Sequence, residues 1–289
     1  MFRRALISFR APVTRSLAQP AVLGGAMRAA SRSYATYPAV KPKKSHPFRW
    51  GMIIGLAIGV GWAYVDRHGL ELEQDDKIQP PTKCDPFPRK IDVRGEKYSV
   101  IGVGYRAVTF MSFHVYALGI YIAEKDVSKA RKILDSIADL SGALADPESS
   151  PDVIGHLLDN GVRFAVRIVP VRNTDFLHIR DGLVRSVTGN PAFKALGNSE
   201  DVGQGLNELK QAFSRKRSIP KGDVITIAQV DDGKLYCEYA LKASQSEPEE
   251  LGLVAHPGVG RLLFLQYLSG KNPNSPTASK SSHDGLVSL

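Results

Sequence analysis

One arginine is the residue best placed to do chemistry in this sequence. Arg106 is the one charged residue inside the segment 100–123, which is otherwise rich in β-branched and aromatic residues. A guanidinium is costly to bury without an anionic or carbonyl partner. Two explanations stay open at this point. In the first, Arg106 is structural: it occupies an edge position or pairs with a later carboxylate. In the second, Arg106 anchors an anion at the floor of a ligand pocket.

The usual catalytic and metal-binding motifs are absent. The sequence contains no P-loop, no G-x-S-x-G, no H-E-x-x-H and no C-x-x-C. The seven histidines are scattered singly, and two cysteines are too few for a disulfide framework or a cysteine-based metal site. Four histidines fall in the predicted domain: His114, His156, His178 and His256. The sequence does not indicate a role for Cys84 or Cys237.

The high net charge of +9 belongs to the beginning of the chain. Ten of the 38 basic residues fall in residues 1–49, which contain no acidic residue, so 28 basic residues remain against 29 acidic ones. The near-neutral body gives no electrostatic basis for binding nucleic acid. Residues 1–34 combine arginine, serine and apolar residues, which predicts a mitochondrial presequence cut after Tyr34. Residues 35–49 follow as a basic linker.

Residues 50–65 are uncharged and predict a single transmembrane helix. At about 1.5 Å per residue this helix spans roughly 24 Å, and aromatic residues at its ends suit the membrane interfaces. A row of small residues could pack against another membrane helix, and it consists of Gly51, Gly55 and Gly59. Lysines precede the span and acidic residues follow it, so the N-terminus is predicted in the matrix and the body in the intermembrane space.

The remaining sequence predicts one α+β domain at residues 89–270. Residues 66–88 are acidic and then proline-rich, which predicts an unpacked linker, and residues 271–289 are predicted to be a disordered tail. Residues 162–171 alternate apolar with charged or small residues, which predicts a strand with one wet face.

The predicted elements begin with strands and end with a helix. Two strands lie in residues 100–124 with a turn near Met111 and Ser112, and a hairpin follows at 223–241. Helical periodicity occurs at residues 127–137, 152–161, 174–187, 206–213 and 260–268. This order predicts an antiparallel sheet with helices layered on one face.

Two ordered motifs resemble chalcone isomerase over about residues 89–270. Gly102, Gly104 and Arg106, followed by Ala117-Leu118-Gly119-Ile120-Tyr121, resemble the opening strands of that family. Ile219-Pro220-Lys221-Gly222 and Asp232-Gly233-Lys234-Leu235 resemble its later hairpin. Together with the predicted presequence, they resemble the fungal mitochondrial branch, the altered-inheritance-of-mitochondria proteins.

The resemblance implies a pocket between the sheet and the helices. Chalcone isomerases close a ring with an Arg, a Thr, a Tyr and an Asn. Here Arg106 matches the Arg, whereas Tyr116, His178 and Arg185 take the other three positions. The resemblance therefore implies ligand binding at Arg106, Tyr116, His178 and Arg185, with flavonoid cyclisation not expected.

Three ligand classes are consistent with this set. The first is haem, implied by the fungal branch, with propionates on arginines and His178 or His114 on the iron. The second is another amphiphilic carboxylate, such as a fatty acid, because fatty-acid-binding relatives use the same Arg for a carboxylate. The third is a conjugated ketone, acted on by an intramolecular lyase in which Arg106 would be catalytic. His178 and Arg185 share a helical face with Asp181, which could equally be a solvent face.

Overall fold

A computed structural model describes residues 76–108, 113–196, 200–242 and 247–289. The predicted presequence, basic linker and span at 50–65 lie outside these residues, as does the Met111–Ser112 turn. Within the described residues, no helix is both long and apolar enough to cross a membrane.

A seven-stranded antiparallel sheet organises the domain. Its strands are β3 Lys90–Val93, β4 Glu96–Val108, β5 Phe113–Ala123, β6 Phe164–Pro170, β9 Val224–Gln229, β10 Leu235–Ala240 and β11 Glu249–Val254. They neighbour one another in the order β11-β10-β9-β6-β5-β4-β3. Two short pairs lie beside it: β1 Lys77–Ile78 with β2 Phe87–Pro88, and β7 Thr174–Asp175 with β8 Ser218–Ile219. The predicted α+β class is confirmed, and β11 was not anticipated.

Within the described ranges, seven α-helices connect and cover these strands. They are α1 Val127–Leu134, α2 Leu140–Ala145, α3 Ser150–Asp159, α4 Phe176–Thr188, α5 Glu200–Ala212, α6 Pro257–Leu268 and α7 Pro276–Val287. Five of them follow the predicted periodicities. Helix α6 is apolar on most sides because it is buried between the sheet and the other helices.

The main core lies between one face of the sheet and the helices. The opposite face also carries buried residues, in two smaller clusters. Strand β6 is central, so all but one of its residues are buried, and Arg167 is the half-buried one. The prediction of a wet face for this strand is therefore wrong, because the second face of the sheet is covered as well.

The end of the predicted linker is part of the packed domain. Phe87 is 1% exposed and belongs to the cluster on the second face of the sheet. The carbonyl oxygen of Pro88 accepts a hydrogen bond of 3.0 Å from the Tyr121 hydroxyl. The prediction of an unpacked linker up to residue 88 is thus wrong for residues 76–88, where apolar residues among the prolines give the segment a surface to bury.

The prediction of a disordered tail at residues 271–289 is also wrong, because this segment forms helix α7, which packs against strand β4. The backbone NH groups of Val103 and Tyr105 donate to the hydroxyls of Ser281 and Thr277, at 3.1 and 3.0 Å. These hydroxyls satisfy a strand edge that has no strand partner there. Serine and threonine therefore act here as docking residues, although their abundance suggested disorder.

The glycines of the G-x-G-x-R segment permit this close contact. A Cβ at Gly104 would lie 2.3 Å from the Ala278 backbone nitrogen, and one at Gly102 would lie 2.4 Å from that of Ser282. No side chain fits at such distances without displacing the helix backbone. The two glycines thus allow α7 to lie directly on β4, next to Arg106.

Candidate functional site

The four residues that the sequence singled out for ligand binding line one cavity. The cavity has a volume of about 260 Å³ and lies between the sheet and helix α4. Its lining consists of Arg106, Val115, Tyr116, Ile168, His178, Ile179, Gly182, Leu183 and Arg185. Apolar walls with a few convergent polar groups are typical of small-molecule sites.

Adjacent strands bring Arg106 and Tyr116 together. They are cross-strand partners in β4 and β5, directly before a register irregularity at Ala107. Directly opposed residues of an antiparallel pair present their side chains on the same face. Arg106 Nη1 donates to the Tyr116 hydroxyl at 3.2 Å, and the guanidinium carbon lies 5.9 Å from the centre of the tyrosine ring.

Arg106 has no carboxylate partner among the described residues. It is half-buried and forms no salt bridge within them. Burial lowers the pKa of Arg106, but its contacts with Tyr116 raise it, and the net direction is upward. The guanidinium stays cationic, with donor groups left for a ligand. The structural-pair explanation is therefore wrong for the described part of the chain.

Helix α4 supplies the opposite wall of the cavity. Asp175 caps the helix, accepting a 2.7 Å hydrogen bond from the His178 backbone nitrogen. His178, Gly182 and Arg185 follow at helical spacing, so they share one face of the helix. His178 and Arg185 are exposed residues, which places them at the rim, whereas Ile179 and Leu183 are buried.

His114 does not line this cavity. Its ring lies 4.0 Å from the ring of Tyr105, and its Nδ1 lies 3.0 Å from the Thr82 hydroxyl. His114 therefore contacts the segment that covers the second face of the sheet. Of the two histidines proposed as haem ligands, only His178 is at the cavity.

A second layer of polar groups lies behind Tyr116 and was missed in the sequence. Tyr267 of helix α6 is 1% exposed, and the charges and side chains that influence its pKa include those of Tyr116, Arg106 and Asn274. Burial and Tyr116 raise the pKa of Tyr267 well above its usual value. The Asn274 Oδ1 lies 3.0 Å from the Ser186 hydroxyl of helix α4. The sequence feature that indicates a buried polar group here is the tyrosine inside the apolar run 260–268, because a buried tyrosine hydroxyl usually finds a polar partner.

The cavity is cationic at its polar end. Arg106 and Arg185 contribute two guanidinium groups, and the residues that line the cavity include no aspartate or glutamate. The nearby Arg180 is instead paired with Asp181 at 2.8 Å and does not line the cavity. A cationic, hydrogen-bonding end and an apolar wall together suit an amphiphilic anion.

Comparison with known proteins identifies the family. A family model described as chalcone isomerase like matches residues 96–283. A protein of Debaryomyces hansenii, named altered inheritance of mitochondria protein 18, mitochondrial, is 38% identical over 240 residues, covering 78% of this chain and 80% of the relative. Proteins with the same name from Lachancea thermotolerans and Saccharomyces cerevisiae are 42% and 33% identical, with 73% and 88% of this chain covered and 73% and 86% of each relative.

A solved structure shares the fold. The crystal structure of a fatty-acid binding protein of Arabidopsis thaliana aligns with a TM-score of 0.56 and 20% sequence identity. The alignment covers 73% of this chain and 97% of the plant protein. At this identity the similarity concerns the fold.

Proposed function

This chain belongs to the chalcone isomerase-like family, and on that premise we propose that its cavity binds an amphiphilic carboxylate without catalysing a reaction. Arg106 and Tyr116 hold the carboxylate, and the apolar residues between sheet and helix contact the hydrocarbon part. The observation that carries this proposal is the half-buried Arg106, which has no carboxylate partner among the described residues. A long-chain fatty acid is the favoured ligand, because the plant relative of the same fold is described as a fatty-acid binding protein.

The chemistry of the head group follows from the donors at the cavity end. A guanidinium presents several N–H groups in a planar fork that matches the two oxygens of a carboxylate. The Tyr116 hydroxyl adds a neutral donor on the same side, 3.2 Å from Arg106 Nη1. Partial burial keeps these donors from being fully hydrated, which strengthens the attraction of an anion.

Haem is a second candidate ligand, and one observation favours it. The cavity combines two guanidinium groups with an imidazole, so Arg106 and Arg185 could hold propionates and His178 could coordinate iron. Bound haem would supply an iron centre for redox or gas-binding chemistry. The ring nitrogens of His178 make no hydrogen bond within the described residues, however, and ligating histidines are almost always held by one. The residues therefore fit a fatty carboxylate better.

The ligand can be identified from the purified chain. Its absorbance spectrum reports haem directly, and mass spectrometry of an organic extract reports a copurified fatty acid. Arg106→Ala should reduce affinity for dodecanoate about 30-fold or more, because a lost charged partner costs about 2–5 kcal/mol. Arg106→Lys should weaken binding as well, since it keeps the charge but loses the planar fork.

The matched control is Arg180→Ala, which removes an arginine of helix α4 that is paired with Asp181 and does not line the cavity. It should leave dodecanoate binding unchanged. The proposal fails if Arg106→Ala keeps full affinity, or if the variant melts far below the unmodified chain while still binding. The second result would mean that Arg106 is a structural residue.

We propose further that residues 50–65 anchor the chain in the mitochondrial inner membrane, with the domain in the intermembrane space. The relatives are named as mitochondrial proteins, and the basic residues before the span and acidic residues after it support this orientation. Protease should digest the domain in mitoplasts but not in intact mitochondria, and carbonate should leave the chain in the membrane pellet. If the domain survives protease in mitoplasts, the proposed orientation is wrong. If carbonate releases the chain, the proposed membrane anchor is wrong.

A further inference from the structure

Helix α4 contains a glycine whose missing side chain no packing contact explains. Gly182 lies in the interior of the helix, where glycine is less favourable than any residue except proline. A Cβ added at Gly182 would meet no heavy atom of the surrounding described residues within 4 Å. Two other helical glycines differ. A Cβ added at Gly205 would lie 2.7 Å from the Cβ of His256, and one at Gly260 would lie 2.9 Å from the Gly233 carbonyl oxygen. Those glycines permit close packing, whereas Gly182 faces open space.

The open space beside Gly182 belongs to the ligand cavity. Gly182 lines that cavity and is half-buried. The lining residues before and after it on the same face of the helix, His178 and Arg185, are exposed and form the rim. On the inner side of the helix, Ile179 and Leu183 are buried. The rim of α4 therefore has a gap at Gly182, between two long polar side chains, where only backbone faces the cavity.

The size of the cavity indicates that a long ligand extends beyond it. The volume of about 260 Å³ is below the ~300–1,000 Å³ of typical small-molecule pockets. With its carboxylate on Arg106 and Tyr116, a long-chain acid places its first methylene groups inside the cavity and has to continue outside it. His178 and Arg185 present polar groups at the rim, whereas the gap at Gly182 leaves room for a methylene chain.

We propose that Gly182 is a specificity-determining residue, because its missing side chain forms the opening through which the hydrocarbon chain of a long-chain carboxylate leaves the cavity. The proposal rests on the proposed carboxylate function and adds to it the position that sets ligand length. A side chain at position 182 closes the opening, so carboxylates short enough to stay inside still bind and longer ones are excluded. The opening also accounts for a helix-weakening residue at this position.

The test enlarges position 182 and compares acids of two lengths on the purified full chain. Octanoate and dodecanoate are titrated calorimetrically into the unmodified chain, Gly182→Ala and Gly182→Leu, and decanoate replaces octanoate if the latter binds too weakly to titrate. Gly182→Leu should reduce dodecanoate affinity about 15-fold or more, which is the loss of two methylene contacts at about fourfold each. The affinity for the shorter acid should fall by less than about threefold. Gly182→Ala should show the same length dependence to a smaller extent, and it should melt up to about 2–4 °C above the unmodified chain because alanine favours the helix.

The matched control is Gly203→Leu in helix α5, where an added Cβ also meets nothing within 4 Å and which does not line the cavity. It should leave both affinities unchanged. Gly182→Ala carries the comparison if Gly182→Leu does not fold.

Three results would overturn the role of Gly182. Equal losses for both acids would mean that position 182 does not set ligand length, and unchanged dodecanoate affinity would mean that the chain leaves the cavity elsewhere. A Gly182→Ala variant that melts below the unmodified chain and also loses binding would mean that the glycine is structural. Absence of dodecanoate binding to the unmodified chain, or full binding by Arg106→Ala, refutes the carboxylate site itself and is thereby distinguished from failure of Gly182 alone.

Discussion

Substituting Gly104 by alanine tests whether helix α7 is held directly on strand β4. The added Cβ would lie 2.3 Å from the Ala278 nitrogen and 2.6 Å from its Cα, and both are backbone atoms. Because backbone cannot rotate away as a flexible side chain can, the helix has to move off the strand. We expect this movement to break the contacts between α7 and the edge of β4.

The cost follows from the contacts that undocking would remove. Four hydrogen bonds join the hydroxyls of α7 and its N-cap to β4 backbone. The Ser275 and Thr277 hydroxyls donate to the Tyr105 carbonyl oxygen, and the Thr277 and Ser281 hydroxyls accept from the Tyr105 and Val103 backbone NH groups. Each hydrogen bond is worth about 0.5–1.5 kcal/mol, and the burial of Leu286, which is 1% exposed, is worth about 1.5–3 kcal/mol. The free energy of unfolding should fall by about 3.5–9 kcal/mol, a large part of the ~5–15 kcal/mol typical of a domain.

Thermal unfolding followed by circular dichroism measures this effect. At about 2–4 °C per kcal/mol for a domain of this size, Gly104→Ala should melt at least about 6 °C below the unmodified chain. The matched control is Gly203→Ala in helix α5, where an added Cβ meets nothing within 4 Å. It should be neutral or stabilise by up to about 1 kcal/mol, since glycine is unfavourable inside a helix. Equal melting temperatures for the two variants would refute the close packing of α7 on β4.

Two other predictions concern catalysis and thiol reactivity. The purified chain should not cyclise a chalcone above background, because the resemblance implies that Tyr116 takes the place of a smaller hydroxyl residue, and general-acid or oxyanion contributions are each worth about 10²–10⁴ in rate. A turnover number near that of a plant enzyme would contradict this. Burial raises the pKa of Cys237 to about 12, and burial with the charge of Asp85 raises that of Cys84 to about 11. Both thiols should therefore alkylate slowly at pH 8 in the folded chain and at ordinary rates in denaturant, and rapid alkylation of Cys237 in the folded chain would show that it is accessible. The pKa of each thiol is higher in the folded chain than in the unfolded chain. The two neutral thiols therefore contribute fully to the stability of the folded chain below about pH 9, and this contribution is lost as pH rises from there toward about 12.

Local patterns in the sequence determined the fold class, the family and most elements of this protein. Alternation and β-branched residues predicted strands β4 and β5, and helical periodicity predicted α1, α3, α4, α5 and α6. The G-x-G-x-R segment predicted the family, which the comparisons confirm. These features depend on neighbours along the chain or on a motif of fixed spacing, so one sequence is enough to find them.

The tertiary structure decided which residues become buried, because burial depends on partners far along the chain. The sequence predicted an unpacked linker at residues 76–88 and a disordered tail at α7, because prolines, serines and threonines are typical of unpacked segments. Both are packed because the sheet offers them an uncovered face and an unpaired strand edge. For the same reason His114 and His178 lie in different places. The register of β5 places His114 against Thr82, whereas His178 lines the cavity. The sequence identified Arg106 as a cation in an apolar segment, but only the packing of helix α4 on the sheet showed which apolar residues form the cavity wall beside it, among them Ile168, Ile179 and Leu183.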